Sequence, residues 1–427
     1  MRVLWASHLI PYPPKSGVHL RSYHLLRGVA ARHDVDLIAF IQESWLTIFY
    51  SSREEALQDC RRALLGMCRS VTFLPIESLR RPAGRARTAL EALVLPQCYT
   101  IRWLQGAAAR QAFLSAAREP YALAHFDTIG LAPYSRLFSD TPATLGHHNI
   151  ESHMLLRRAD HETNPLKRWY FRQEGRRLRD YEAQIANRFE AHVTCSELDS
   201  TRLQAIAPSA KTVAIPNGVD IEYFQSAAAS ITGPASIIFV GSLNWYPNVD
   251  AVLFLLREIW PAAKAAVPDL RLDIVGSAPP QSVLETAAQL NDVRVHGFVD
   301  DVRPLMDAAT LYVCPIRDGG GTKLKLLDAF AMQKCVVAHP VACEGIDVTA
   351  GRDVELAESA GAFVAAIRRL LRDPAERERR GRAARQLVAE RYSFAEIGRR
   401  LCDVFESAAR NGRGRSAGPD YVTGSTR

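Results

Sequence analysis

The stretch Arg317-Asp318-Gly319-Gly320-Gly321-Thr322-Lys323-Leu324-Lys325-Leu326-Leu327-Asp328 decides how this chain reads. An apolar run over 311–315 precedes it and an apolar-periodic run over 324–334 follows it. The expected order is therefore a buried strand, a glycine turn and a helix. Consecutive glycines let the backbone turn sharply and approach a ligand closely. Lys323 and Lys325 fall in the first turn of the expected helix, where the N–H groups already favour anions. Cations are unfavourable at that end unless an anion is held there. The segment reads as a phosphate cradle, with Asp328 further along the helix as a sugar or ribose contact.

Outward from this segment the same alternation recurs. Strand candidates lie at 3–10, 35–40, 71–75, 123–126, 143–146, 191–195 and 212–215, with helical patterns at 19–32, 54–67, 102–117 and 166–189. Near-continuous apolar strands separated by helices predict a parallel sheet covered on both faces. Ile215-Pro216-Asn217-Gly218 breaks the pattern, and 226–234 is a linker of small residues. The alternation restarts at 235–240, 270–275, 293–296, 311–315 and 336–338. The fold class expected is α/β, with Rossmann-like doubly wound domains at 1–218 and 219–391 that face a central cleft. A helix over 392–410, with Ser393 as its N-cap, is expected to pack back on the first domain, and 411–427 to be a disordered tail.

The length of 427 residues suits two cores rather than one, and 48% apolar with 23% charged residues suits a water-soluble protein. The net charge of +7 is a mild bias toward anionic ligands or surfaces. No nucleic-acid-binding module accompanies it, which argues against such a partner. The eight cysteines form no C-x-x-C pair and read as thiols in a reducing cytoplasm. No apolar leader or spanning run is apparent, so a cytoplasmic protein is expected. A basic and aromatic stretch from Arg157 to Arg179, and Arg80, Arg81, Arg85 and Arg87 beside Leu90, Leu93, Val94 and Leu95, suit peripheral contact with the anionic inner face of the membrane. His147-His148-Asn149-Ile150-Glu151-Ser152-His153 clusters imidazoles without the spacing of a helical His-x-x-x-His pair next to a glutamate, and no metal is expected from it.

Together, Ile215-Pro216-Asn217-Gly218-Val219-Asp220, Phe239-Val240-Gly241-Ser242-Leu243, Ile274-Val275-Gly276, Val295-His296-Gly297-Phe298-Val299-Asp300 and 319–332 carry a resemblance. In order and spacing the chain resembles the retaining nucleotide-sugar glycosyltransferases of the GT-B fold, in the large family numbered four. Asn244-Trp245-Tyr246-Pro247-Asn248-Val249-Asp250 and His148-Asn149-Ile150-Glu151 are similar to its branch that builds bacterial exopolysaccharide.

The resemblance implies acceptor binding on the first domain, a nucleotide-diphosphate sugar on the second as donor substrate, retention, and no metal or other cofactor. It also implies that Gly241, Gly319, Gly320, Gly321, Thr322, Lys323 and Lys325 serve the diphosphate, with Asp328 on the ribose and the backbone of Phe298 and Val299 framing the base. Gly17 matches the family's close approach to the donor phosphate, with Arg21 one turn further on, and His148 matches a cleft histidine that orients sugar or acceptor. The chain departs from the pattern where the family keeps a pair of glutamates, since Gly320 and Asp328 stand there. Ser242 and Asn248 stand near the place of the family's usual Arg and Lys, which leaves the phosphate charge to Lys323, Lys325 and Arg317.

The expected function is a metal-independent, retaining glycosyltransferase of hexosyl type, acting on a glycan or lipid-linked acceptor in bacterial exopolysaccharide synthesis. A catalytically silent binding or scaffold subunit and a nucleotide-sugar epimerase are the alternatives.

Overall fold

The computed structural model describes residues 1–80, 83–226, 234–319 and 322–416. They form two units, Met1–Ile215 with the residues from Gly398 onward, and Pro216–Ile397.

The first unit holds β1 (Arg2–Ser7), β2 (Asp34–Ile41), β3 (Ser70–Pro75), β4 (Leu123–Phe126), β5 (Ala143–Gly146), β6 (Ala191–Thr194) and β7 (Thr212–Ala214). Their order in the sheet is β3-β2-β1-β4-β5-β6-β7, and every neighbouring pair is parallel. Val3, Leu4, Trp5 and Ala6 are wholly buried, as a central strand covered on both faces requires. The winding reverses between β1 and β4, whose register runs Val3↔Leu123 to Ala6↔Phe126. The residues that leave these two strands therefore emerge side by side at the switch point, where open parallel sheets bind ligands. β1 stops at Ser7, short of the expected 3–10. Its last bond to β4's side is made by Asp127 N to Ala6 O at 2.9 Å, and beyond it His8 leaves the strand.

The helix Gly17–Ala30 follows β1. The single helix expected over 102–117 is two, Tyr99–Arg102 and Ala107–Ala116, with Gly106 extended between them. The last helix, Phe394–Ser416, opens with Glu396 N donating to Ser393 Oγ at 3.3 Å. In its first-unit portion Phe405 lies 6.0 Å from Trp5 and 5.0 Å from His125, ring to ring. Gly28 and Gly398 let two helices touch: a Cβ on Gly28 would sit 2.7 Å from the Gly398 Cα. The expected tail from 411 is corrected in part. The helix continues to Ser416, with Ala408 and Ala409 buried and Gly412 against Pro142. Residues 417–427 lie outside the described residues.

The second unit holds β8 (Ser236–Val240), β9 (Arg271–Val275), β10 (Val293–Gly297), β11 (Leu311–Cys314), β12 (Val336–Ala338) and β13 (Glu355–Leu356). The order is β10-β9-β8-β11-β12-β13, again all parallel. Phe239, Trp260, Tyr312, Phe330 and Phe363 fill its core. The switch point here falls between β8 and β11, so the glycine-rich segment that follows β11 starts at that switch. The helix after it is Leu324–Ala331, shorter than the 324–334 expected. Gln333 takes a left-handed φ of 54°, and the Lys334 ammonium donates to the carbonyls of Asp307 at 2.8 Å and Ala309 at 3.0 Å. These bonds end the helix by turning the chain into β12. All eight cysteines are buried thiols. No helix among the described residues is long and apolar enough to cross a membrane.

Candidate functional site

Each unit gathers polar groups at its own switch point. In the second unit β11 leads through Arg317 and Asp318 to Gly319, whose φ of +108° favours glycine and whose Cβ would lie 3.1 Å from Pro247. Gly320 and Gly321 lie outside the described residues. The Asp318 Oδ1 accepts from Gly319 N at 2.6 Å, so this carboxylate shapes the turn. Lys323 is the N-cap of the following helix, and its Nζ donates to Gly319 O at 2.8 Å across the loop. The Thr322 hydroxyl oxygen is buried and makes no hydrogen bond among the described residues. Such a group is costly unless a ligand meets it.

Lys325 points back beneath the loop. Its Nζ donates to Asn248 Oδ1 and stands 5.6 Å from the Phe239 ring. Asn248 is 5% exposed, and its Nδ2 donates to Ser242 O at 2.6 Å, so it ties the β8 loop to the lysine. A Cβ on Gly241 would sit 2.7 Å from Lys325 Nζ, and one on Gly276 only 2.0 Å from Gly241 O. Backbone blocks a side chain at Gly276, whereas at Gly241 a Cβ would displace the lysine head from its place. Burial pushes the Lys325 ammonium down to about 8, with the charge of Lys323 acting in the same direction. Burial pushes the Asp328 carboxyl up to about 7, against the opposing pull of Lys325. Both charges are thus held where a small change in surroundings switches them.

Arg317, expected to share the phosphate charge, already has a partner within the protein. Its guanidinium is paired with Asp250, at 3.1 to 3.3 Å, and lies 4.0 Å above the Phe254 ring. Phe298 and Val299 follow β10 at the sheet's edge, with the Phe298 ring 66% exposed.

The site of the first unit forms where β1, β4 and β5 end. His148 Nε2 lies 3.2 Å from Asp127 Oδ1, and His8 Nδ1 lies 3.8 Å from Asp127 Oδ2. Ser22 and Ser7 donate their hydroxyls to Asp127 Oδ2 at 2.9 and 3.3 Å. The imidazoles of His148, His8 and His125 hold the Asp127 carboxyl well below the usual carboxylate range, against burial that pushes it up. Burial is also the main cause that keeps His8 neutral, down to about 3, and His19, down to about 4.

Gly17 opens the helix behind Ser16, whose hydroxyl is bonded to His19 Nδ1 at 2.7 Å and caps no backbone N–H. Arg21, for which solvent exposure was an alternative, is 5% exposed. It is close enough to His125 and Cys195 to act on their charges.

The run from His147 to His153 splits by direction. His147 turns into the core, bonded to His192 at 3.0 Å, and Cys195 Sγ donates to its carbonyl at 3.2 Å. His148 turns to the site. Glu151 begins the helix Glu151–His161, and burial raises its carboxyl. Ser152 is held by Glu182, whose carboxyl burial lifts to about 7.

The structure thus brings Gly241, Lys325 and Asp328 together, with Gly319, Thr322 and Lys323 in the loop above. Sequence reasoning did not assign His8, Asp127 or Ser22, and treated Asn248 only as a departure from a pattern. The available signal was a charged residue directly behind an apolar run, as in Leu123-Ala124-His125-Phe126-Asp127.

Comparison with known proteins fits this geometry. Residues 234–373 match the family model described as Glycosyl transferases group 1. A phosphatidyl-myo-inositol mannosyltransferase of Mycolicibacterium smegmatis is 29% identical over 239 residues, 54% of this chain and 60% of that protein. The chain spans 33 to 60% of the length of the curated relatives with which it aligns first.

Among solved structures, a sucrose-phosphate synthase from Thermosynechococcus elongatus superposes with a TM-score of 0.66 at 16% identity, covering 96% of this chain and 100% of that one. Anabaena HepE in complex with UDP-glucose gives 0.63 at 15% identity, covering 95% and 100%. These likenesses establish the GT-B fold, two Rossmann-like units in one chain.

Proposed function

We propose, for a chain that belongs to the group 1 glycosyl transferases, that it transfers a sugar from a nucleotide-diphosphate donor to a hydroxyl acceptor with retention of configuration. The observation that carries this reading is the cationic knot at the β8/β11 switch. There Gly241 makes room for Lys325, Asn248 fixes it, and Lys323 spans the glycine loop above. The leaving diphosphate gains negative charge as the sugar–oxygen bond breaks. Preorganised lysines and N–H groups stabilise that charge most in the transition state. Lys323 and Lys325, rather than a metal ion, are assigned this charge, and the buried Thr322 hydroxyl, which has no hydrogen bond among the described residues, gains a phosphate partner.

Asp328 is assigned the ribose hydroxyls and the Phe298–Val299 segment the base. The exposed Phe298 ring leaves that segment open to a ligand. The first unit is assigned the acceptor, with His148 orienting a sugar or acceptor hydroxyl and Gly17 and Arg21 at the β1 end of the same sheet. Position 320 is glycine and offers no carboxylate, so a covalent route through it is closed. Front-face displacement, with a leaving phosphate oxygen taking the acceptor proton, fits best. HepE was solved with UDP-glucose, which supports a nucleotide-sugar donor here.

An exopolysaccharide or lipid-linked acceptor fits the exposed Leu90, Val94 and Trp169 beside basic residues, a surface suited to anionic lipid. Glycine where the family keeps a glutamate favours a second reading, a binding subunit without turnover. Incubating the purified chain with a panel of nucleotide-diphosphate sugars and following release of the nucleoside diphosphate tests both. Release above the buffer rate supports the transferase. Binding without release, with any acceptor, supports the silent subunit.

A further inference from the structure

A second set of groups in the first unit is arranged for a ligand that the donor chemistry does not use. His8, Asp127 and His148 leave three adjacent strands, β1, β4 and β5, at the same sheet end. One ring nitrogen of each histidine and one carboxylate oxygen of Asp127 lie within 4.8 Å of one another. Both nitrogens are buried: His148 Nε2 reaches Asp127 Oδ1 only as an ion-pair contact at 3.2 Å, and His8 Nδ1, 3.8 Å from Oδ2, makes no hydrogen bond among the described residues. A buried nitrogen without a hydrogen bond, beside a carboxylate already shared with a second imidazole, is poorly served by protein alone. A cation among them satisfies all three groups at once.

We infer that His8 Nδ1, Asp127 and His148 Nε2 form a binding site for one divalent transition-metal ion of the zinc class. Imidazole nitrogens with one carboxylate are the donors such ions prefer over magnesium or calcium. In a tetrahedral site with ligand bonds of about 2.0–2.1 Å, donor atoms stand about 3.3 Å apart. His148 Nε2 stands 3.2 Å from one Asp127 oxygen and His8 Nδ1 3.8 Å from the other, close to that spacing, and one ligand atom of each residue lies within 4.8 Å of the others. Ser22 and Ser7 hold Asp127 from behind, the outer-shell support that fixes a metal-bound carboxylate. Three protein ligands leave a coordination position open for water or a hydroxyl.

The ligands come from positions 8, 127 and 148, so no local motif announces the site. The imidazole run at 147–153 supplies only one of them. Metal on His148 removes that nitrogen from the acceptor, so zinc is expected to inhibit turnover. This consequence rests on the proposed transferase function, whereas binding of metal alone does not.

The test uses the full chain, stripped with a chelator and titrated with Zn²⁺ by calorimetry, with Co²⁺ absorption read in parallel. The expected result is one ion per chain, with visible Co²⁺ bands of a low-coordinate nitrogen–oxygen site. His8→Gln and Asp127→Asn are each expected to weaken binding at least about tenfold, and Ser22→Ala by about tenfold through the outer shell. His153→Ala is expected to bind like the wild type. Melting curves of the variants separate loss of ligands from loss of fold, and the wild-type Co²⁺ spectrum stands without any variant. Absence of a stoichiometric ion in the wild type overturns the assignment. So does undiminished binding in both His8→Gln and Asp127→Asn, which places the ion elsewhere. Inhibition of wild-type turnover by zinc, absent in His8→Gln, extends the site to control of activity.

Discussion

The two sheet ends solve the same problem in opposite ways. At the β8/β11 end the charges are positive, and Lys323, Lys325 and Arg317 each have a partner within the protein. At the β1/β4 end the buried Asp127 carboxylate is surrounded by imidazoles, His148 reaching it as an ion-pair contact and His8 Nδ1 making no hydrogen bond among the described residues. The first arrangement suits a ligand that brings much negative charge and replaces weak internal bonds to Asn248 and Gly319. The second suits a ligand that supplies what the nitrogens lack, a hydroxyl or a cation. Ligand chemistry thus follows from which groups the fold satisfies and which it leaves open.

The largest expected effect breaks the cationic end. Lys323→Ala with Lys325→Ala should lower kcat by a factor of about 10² or more, because one preorganised donor is worth about 3 kcal/mol in such sites. Steady-state rates with the donor identified by the panel check this. A double variant within threefold of the wild type removes the lysines from the reaction.

Next in size is a backbone effect. Gly28→Val places side-chain atoms where a Cβ already stands 2.7 Å from Gly398 Cα, and overpacking of this kind costs about 1–3 kcal/mol. Urea melts should show a lower midpoint at unchanged slope. An unaltered midpoint means that the two helices separate freely.

Asn248→Ala sharpens the comparison by freeing Lys325 while keeping its charge. A loss in kcat/KM of about tenfold is expected, smaller than for removal of the lysine, since one charge-assisted hydrogen bond is worth about 1.5–3 kcal/mol.

The smallest effect is in pH. The Lys325 ammonium is held down at about 8, so it is charged below that value and neutral above it. kcat/KM should therefore fall through a limb near pH 8, and Asn248→Asp, which adds a negative charge beside the ammonium, should move the limb upward. The same shift carries a stability sign. Lysine binds its proton more weakly folded, at about 8, than unfolded, at 10.5, so its unfavourable contribution shrinks as pH rises between those values. A limb that does not move in Asn248→Asp disconnects it from Lys325.

Much of this architecture is legible along the chain, for identifiable reasons. Buried parallel strands such as Ile237-Ile238-Phe239 and Tyr312-Val313-Cys314 are apolar on both faces and bounded by Gly or Pro, so periodicity finds them. The glycine- and lysine-bearing segment behind β11 is legible because its glycines and lysines lie close together in the sequence. β13 is not, since a two-residue edge strand has no pattern. The limit of β1 at Ser7 was missed because Leu9 and Ile10 are as buried as the strand itself, and only the pairing with β4 shows that the strand has ended.

The His8–Asp127–His148 group was missed for a different reason. Its members are separated by more than a hundred residues at one junction and meet only through strand order. The run His147-His148 gives no sign of which ring faces the core. The bond from His147 to His192 decides that. The Asp250 partner of Arg317 is likewise not legible along the chain, because it lies 67 residues away, on the helix that follows β8.

The central claim is that the second unit's lysine-bearing loop holds the donor diphosphate. Calorimetric titration of UDP, with GDP and ADP alongside, into the wild type, the Lys323→Ala/Lys325→Ala variant and His8→Gln tests it most directly. The best-bound diphosphate is expected to lose at least about tenfold in affinity in the lysine variant, as lost charge-assisted bonds require. No change is expected in His8→Gln. Equal affinity in the wild type and the lysine variant would contradict the account.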